Sequence, residues 1–246
     1  MANWNDPQPR SGFGASPSLG GRTGARTGYD AGLRRHMLSI YNYMASGVLL
    51  SGVVAMLFAS SGFAAQVLTT PLKWVIMLAP LGFVMAMSFG IHRMRTSTVQ
   101  MLFWAFAVAM GLSLSSIFLV YTGASIATTF FATAAAFAGL SLVGYTTKKD
   151  LSGMGSFLIM GVIGILVATL INLFVQSSVM QLAISALGVL IFAGLTAYDT
   201  QRLKQEYYQL AGTDFAGKAV VMGALSLYLD FINMFQFLLS FMGQRD

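Results

Sequence analysis

The sequence predicts an all-α integral membrane protein with seven transmembrane helices, and three observations carry that prediction. Only 9% of the 246 residues are charged and 56% are hydrophobic, whereas a soluble domain is about 25% charged. So few charges cannot cover the surface of an ordinary soluble enzyme. The charges are also clustered: Lys, Arg, Asp and Glu are absent from residues 36–72, 96–147 and 151–198. A spanning helix needs about 20 apolar residues, so each of the two later gaps holds two spans and a turn. Finally, the apolar runs are continuous over about twice the roughly 10-residue length of a barrel strand, without the alternation a barrel requires.

Residues 1–35 stand apart. They are rich in Gly, Ser, Pro and Arg, hold seven of the 22 charges and have no apolar periodicity, which predicts a disordered basic cytoplasmic tail. They lack the apolar stretch and cleavage site of a signal peptide. The transmembrane domain is then 36–246. Its first span is 36–60. The second, 73–91, lies between Lys73 and the pair Arg93 and Arg95. The third, 97–120, ends in the turn Tyr121-Thr122-Gly123, and the fourth, 125–145, ends at Lys148 and Lys149. The fifth, 155–175, turns at Gln176-Ser177-Ser178 into the sixth, 179–200. The seventh is 219–242.

Orientation follows from the basic residues in the connections. The tail and the loops after the second, fourth and sixth helices hold twelve Lys and Arg, and the opposite side holds Lys73 and Arg245. The N-terminus is therefore expected in the cytoplasm and the C-terminus outside. A six-span alternative with a re-entrant last segment would bring Arg245 inside.

Much of the composition reads as packing. Gly161, Gly164, Gly188 and Gly194 suit close helix approach. The sixteen Met are scattered over all the helices, as flexible core residues rather than a copper path. Asn172 and Asn233 are expected to hydrogen-bond between helices, and Trp74 and Tyr121 to sit in interfacial aromatic belts. No cysteine is present, which excludes disulfides and thiolate metal sites. His36 and His92 have no metal-ligand spacing. The basic groups have no stacking platform between them, so nucleic acid is not a partner. No nucleophile elbow or phosphate loop appears, and no enzyme is indicated.

Two acidic residues remain. Of the eight, Asp6, Asp30, Asp150, Glu206, Asp214 and Asp246 are assigned to tails or loops. Asp199 lies at the end of the sixth span and Asp230 well inside the seventh. An ionisable group within a span is costly and marks function by default. If the two meet, they cannot both stay charged cheaply; such a pair shares a proton and changes charge near neutral pH. Arg93 and Arg95 are the candidate counter-charges, or else ordinary anchors at the basic face. The plainer alternative has Asp199 anchoring a helix end and Asp230 bonded to a backbone group or a Tyr hydroxyl.

The segments around these aspartates, Gly194-Leu-Thr-Ala-Tyr-Asp-Thr-Gln201 and Ala224-Leu-Ser-Leu-Tyr-Leu-Asp-Phe-Ile-Asn-Met-Phe235, resemble signatures of the Bax inhibitor-1 family, in its bacterial branch. Lys148-Lys149-Asp150-Leu151 fits as well, and the likeness runs over roughly 36–243. The resemblance implies six helices around a central seventh. It implies a pH-gated calcium leak of the plasma (inner) membrane, controlled by an aspartate pair that falls on Asp199 and Asp230. Arg93 falls nearest the family's arginine, with Arg95 as the other register. No cofactor is implied beyond calcium as the transported ion. Two carboxylates supply at most four of the six to eight oxygens calcium takes, so any site is weak, as conduction requires. Some bacterial relatives are linked instead to restraining a membrane protease. The alternative function is therefore a membrane-embedded modulator of a protease or other complex, without transport.

Overall fold

The computed structural model describes residues 30–244, and within them every expected span is a helix. In chain order these are α1 (Ala31–Ser60), α2 (Phe63–Leu68), α3 (Leu72–Gly90), α4 (Thr96–Leu114), α5 (Ile117–Val120), α6 (Gly123–Thr146), α7 (Ser152–Val175), α8 (Ser178–Leu210) and α9 (Ala216–Met242). Seven stretches are long and apolar enough to cross a membrane, with α4 and α5 forming one of them. Most of the expected tail, together with Arg245, lies outside the described residues.

Three boundaries differ from expectation. Helix α1 begins at Ala31 rather than 36, so Arg34 and Arg35 sit on its first turns. The short α2 was not expected; the chain enters it through Gly62, whose φ of 74° is left-handed and is open to glycine without steric cost. Most consequentially, α8 does not stop near residue 200. It continues ten residues further, to Leu210, and the connection to α9 is only residues 211–215. The charges of that stretch had marked it as loop. They fall at helical spacing and lie on a helix that has left the apolar stretch.

Local chemistry explains the other breaks. The Ser115 hydroxyl bonds back to the Leu112 carbonyl (2.7 Å) and Ser116 to Ser113 (3.2 Å). Such back-bonding competes with the helical ladder and separates α4 from α5. Thr122 then caps α6, accepting from the Ser125 amide at 3.2 Å. Pro80 lies inside α3, where its ring removes one ladder bond.

Polarity is turned inward. Large apolar side chains such as Phe89, Phe131, Phe157 and Phe174 are exposed, while Ser51, Thr133, Asn172, Ser185, Thr196 and Thr200 are buried. That is the arrangement expected where the solvent is hydrocarbon and cannot satisfy polar groups. Helix α9 is the most enclosed element: 61% of its most apolar stretch is buried, against 11–33% in the other six. It is one unbroken helix of 27 residues, with no re-entrant break. It packs on α4, α6 and α8.

A buried hydroxyl chain ties α9 to α1 and again to α4. Tyr228 reaches Ser51 of α1 at 2.6 Å, and Ser51 donates to the Ala107 carbonyl of α4 at 2.7 Å. Phe103 and Phe106 meet the Tyr228 ring edge-on. Tyr228→Phe keeps the ring contacts and removes one buried hydrogen bond, so it is expected to lower stability by about 1 kcal/mol, read as a shift in thermal unfolding in detergent.

Of the glycines expected at helix contacts, a Cβ on Gly161 would meet Ile191, on Gly188 would meet Phe237, and on Gly194 would meet Leu158. Gly164 faces open space and makes no such contact. The closest approach is elsewhere: at Gly144 of α6 a Cβ would collide with the Ala197 backbone of α8. This crossing sets α8 against α6 two residues before Asp199.

Candidate functional site

The extension of α8 brings the two aspartates to similar depth. Asp199 lies eleven residues before the end of α8 and Asp230 fourteen after the start of α9. At 1.5 Å per residue these are about 17 and 21 Å from the same connection. Had α8 ended near residue 200, Asp199 would have been far shallower. Both carboxylates are buried, each residue 5% exposed.

Ser226 links them. Its hydroxyl donates to Asp199 Oδ2 in a short hydrogen bond, and it precedes Asp230 by four residues, one turn back on the same face of α9. The counter-charge is Arg202, one turn beyond Asp199. Its Nη1 is 3.2 Å from Asp199 Oδ1 and its Nη2 donates to Ser226 Oγ at 3.0 Å. Its Nε approaches Glu206 Oε1 at 3.4 Å, a charge contact without hydrogen-bond geometry. The guanidinium therefore sits between two carboxylates and a hydroxyl. Asp230 lies within reach of the charges on Asp199 and Arg202, yet its Oδ2 is buried with no hydrogen-bond partner in the described chain.

Arg93 and Arg95 are not at this cluster. Both are exposed in the connection from α3 to α4, where the Arg93 amide bonds to the Gly90 carbonyl and Arg95 caps α4. Among the described residues the ion pairs of Asp199 and Glu206 are both made by Arg202. The physical reason is the continued helix, which carries a guanidinium to Asp199 at i,i+3 spacing. That spacing, with Glu206 four residues on, is the signal in the sequence that could have identified helix and partner together. Asp199 is well inside its helix rather than at its end, and the Tyr228 hydroxyl is turned to Ser51 rather than Asp230.

A cavity of about 230 Å³ opens beside the cluster, lined by Val84 and Ser88 of α3, Arg202 and Glu206 of α8, and Ser226 and Leu229 of α9. Its α3 wall begins one turn beyond Pro80. Among the described residues no three His, Asp or Glu side chains gather, so a cation reaching the pair finds two carboxylates and the neighbouring serine hydroxyl. That is fewer oxygens than the six to eight calcium takes.

Gln201, missed as a functional candidate, faces the other way. Its Oε1 accepts from the Leu151 amide and its Nε2 donates to the Lys149 carbonyl, both at 2.8 Å. It pins the α6–α7 connection to α8 two residues from Asp199. Gln201→Ala leaves both backbone groups unpaired, at a cost of roughly 1–3 kcal/mol; faster amide exchange confined to residues 147–151 is the expected signature. Asp150, in that connection, accepts from the Ser152 amide at 2.9 Å. Hydrogen bonding to Ser152 holds its carboxyl below the ordinary range, so it stays ionised near neutral pH and is no sensor there.

The remaining polar expectations divide. Asn172 does bridge helices, donating to Gln181 of α8 at 3.1 Å and accepting from the Ser177 amide. Asn233 instead donates to Leu229 within its own helix at 2.8 Å. Trp74 is exposed, with the Lys73 ammonium 5.4 Å from its ring.

Comparison with known proteins places this architecture. The family model described as inhibitor of apoptosis-promoting Bax1 matches residues 33–246. An uncharacterised protein of Caulobacter vibrioides is 50% identical over 226 residues, covering 87% of this chain and 90% of its own. A protein of Rickettsia prowazekii is 47% identical over 219 residues, covering 88% and 92%. The inner membrane protein YbhL of Escherichia coli K12 is 44% identical over 219 residues, covering 87% and 94%. With its seven long apolar helices and a family match over nearly all described residues, the chain is a multi-pass membrane protein belonging to the Bax inhibitor-1 family.

Proposed function

We propose that the protein is a pH-sensitive calcium leak of the inner membrane, with Asp199 and Asp230 as its titrating, cation-facing pair and Arg202 as their counter-charge. One observation carries the reading: a buried carboxyl, Asp230, stands one turn from a serine that is already shared by Asp199 and Arg202. One guanidinium can neutralise one carboxylate there. While Asp230 holds a proton the cluster is balanced. When it loses that proton, an uncompensated negative charge stands in a low-dielectric site, and such a charge is strongly unfavourable. A calcium ion entering beside the pair relieves it, as does a shift of the α3 wall that admits water to the cavity. Glu206 competes for Arg202 from the water side and lowers the cost of releasing Asp199.

The inner-membrane assignment is supported by the description of the Escherichia coli relative. The basic bias of alternate connections supports a cytoplasmic N-terminus and an outer C-terminus. On this reading calcium is cargo, no resident cofactor takes part and no bond is made or broken.

The test is calcium entry into liposomes holding the purified protein, measured at about pH 6 and pH 8, which bracket the range where a coupled carboxylate pair changes charge. Flux that differs between the two values, and loses the difference in Asp199→Asn and Asp230→Asn, supports the proposal. No flux above empty liposomes at either pH overturns it in favour of a modulator of a membrane protease or other complex, for which capture of membrane partners is the next measurement.

A further inference from the structure

Two apolar cavities follow one another along one side of the bundle, with Val48 and Phe130 between them. The first, about 380 Å³, is walled by Tyr41, Met44 and Ala45 of α1 and by Ala134 and Phe137 of α6, with Phe231 of α9 as floor. The second, about 300 Å³, continues past Gly52 and Ala55 of α1 and Ile126 of α6, over Phe235 of α9, to a roof at Phe118 of α5. Val48 and Phe130 border both. Together they form one groove between α1 and α6 whose floor is the most enclosed helix. It runs along α1 from residue 41 to residue 55, about 21 Å at 1.5 Å per residue, longer than the roughly 15 Å of one leaflet's hydrocarbon. The second cavity has room for a side chain: a Cβ on Gly52 would meet nothing within 4 Å.

The two ends differ. At one end the Tyr41 hydroxyl meets Ser141 at 2.5 Å, and Ser141 meets Thr200 at 2.9 Å. Seven residues before Tyr41, on the same face of α1, is Arg34. The exposed Lys148 and Lys149 follow α6 at that same end. The far end, under Ile117 and Phe118, is apolar. A groove that is apolar along a leaflet's depth, with hydroxyls and three basic side chains at one mouth, matches an acyl chain below an anionic headgroup. A partner helix, about 10 Å across, is too wide for cavities of this volume.

We infer that the α1–α6 groove is a binding site for one acyl chain of an anionic phospholipid, whose headgroup lies at Arg34, Lys148 and Lys149. The chain reaches Phe231 and Ile232, the residues that follow Asp230, so the bilayer touches the helix that carries the candidate site. The inference does not rest on calcium flux.

The full-length protein is placed in nanodiscs with trace phosphatidylglycerol carrying a photoactivatable acyl chain, and the crosslinks are mapped by mass spectrometry. The reference is the outward face of α7, where Phe157, Ile159 and Met160 are exposed to bulk lipid. The expected result is several-fold heavier labelling at Met44, Val48, Phe130 and Phe231 than on α7, falling to the α7 level in Gly52→Phe with thermal unfolding unchanged. Unfolding in Ala45→Phe, which fills the groove one step away, guards against a folding defect at Gly52. Combined Arg34→Gln, Lys148→Gln and Lys149→Gln should reduce the preference over phosphatidylcholine by at least roughly fivefold, the factor equivalent to about 1 kcal/mol for one basic group near an anionic lipid surface. Labelling no heavier than on α7, or unaltered by both filling variants, overturns the site. Equal labelling by phosphatidylcholine in the wild type overturns the anionic headgroup, and displacement by a free fatty acid but not by phosphatidylglycerol overturns the phospholipid.

Discussion

Asp230→Asn is expected to give a calcium leak whose rate is the same at about pH 6 and pH 8. The substitution keeps the shape of the side chain and removes the proton exchange, so a flux that follows the charge of this group loses its pH dependence. The variant should also fold well. Asp230 Oδ2 has no hydrogen-bond partner in the described chain, so little native bonding is forfeited, and the buried site is spared a charge it cannot pair. Thermal unfolding equal to or above wild type is the expected companion result. Asp199→Asn should differ on that second readout, because it also dissolves the ion pair with Arg202. A pH profile in Asp230→Asn that overlays the wild type would remove Asp230 from the role assigned to it.

The largest loss of stability is expected from Arg202→Met. Removing one partner of a buried ion pair leaves the other charge uncompensated, at a cost of about 3–5 kcal/mol. The Arg202 side chain is 38% exposed and that of Asp199 is 7% exposed, so the effect should lie at the low end of that range. Asp199→Asn combined with Arg202→Met removes both charges and should recover most of the loss. The corresponding changes at Arg93 and Arg95, exposed and away from the pair, should fall within about 0.5 kcal/mol of wild type. Thermal unfolding of the four variants in one detergent decides the matter. Equal losses at Arg93 and Arg202 would return the counter-charge to the α3–α4 connection.

The bundle was legible because hydrocarbon imposes a simple rule on composition. A chain that must bury every backbone polar group in helices shows its spans as charge-free runs, and charge gaps with the turn residues placed both ends of five of the seven spans within a few residues. The same rule hid the continuation of α8. Arg202, Lys204 and Glu206 marked the end of the apolar stretch correctly, but a helix does not end where hydrocarbon does. Its ladder is satisfied internally, and the half-exposed i,i+4 pair of Arg202 and Glu206 supports further turns. From that one boundary came the choice of Arg93 and Arg95, which the structure places away from the pair, and the apparent mismatch in depth of the aspartates. Ser226 carried no signal of its own. A serine in a span is usual, and only the facing position of Asp199 gives it a role. Gln201 was visible as part of the family-like segment, yet its two backbone partners lie fifty residues away in sequence, where no local pattern points.

Helix α8 is 33 residues long, about 50 Å at 1.5 Å per residue, while the hydrocarbon is about 30 Å thick. Some 20 Å of one stiff rod is therefore more than the hydrocarbon needs, and Asp199, about 17 Å from its end, lies close to where the rod emerges. The crossing at Gly144, where α6 and α8 touch backbone to backbone, is a natural fulcrum for that rod. Asp199 and Ser226 thus stand at the root of a lever, so any tilt of the projecting turns would be felt first at the hydrogen bond between them.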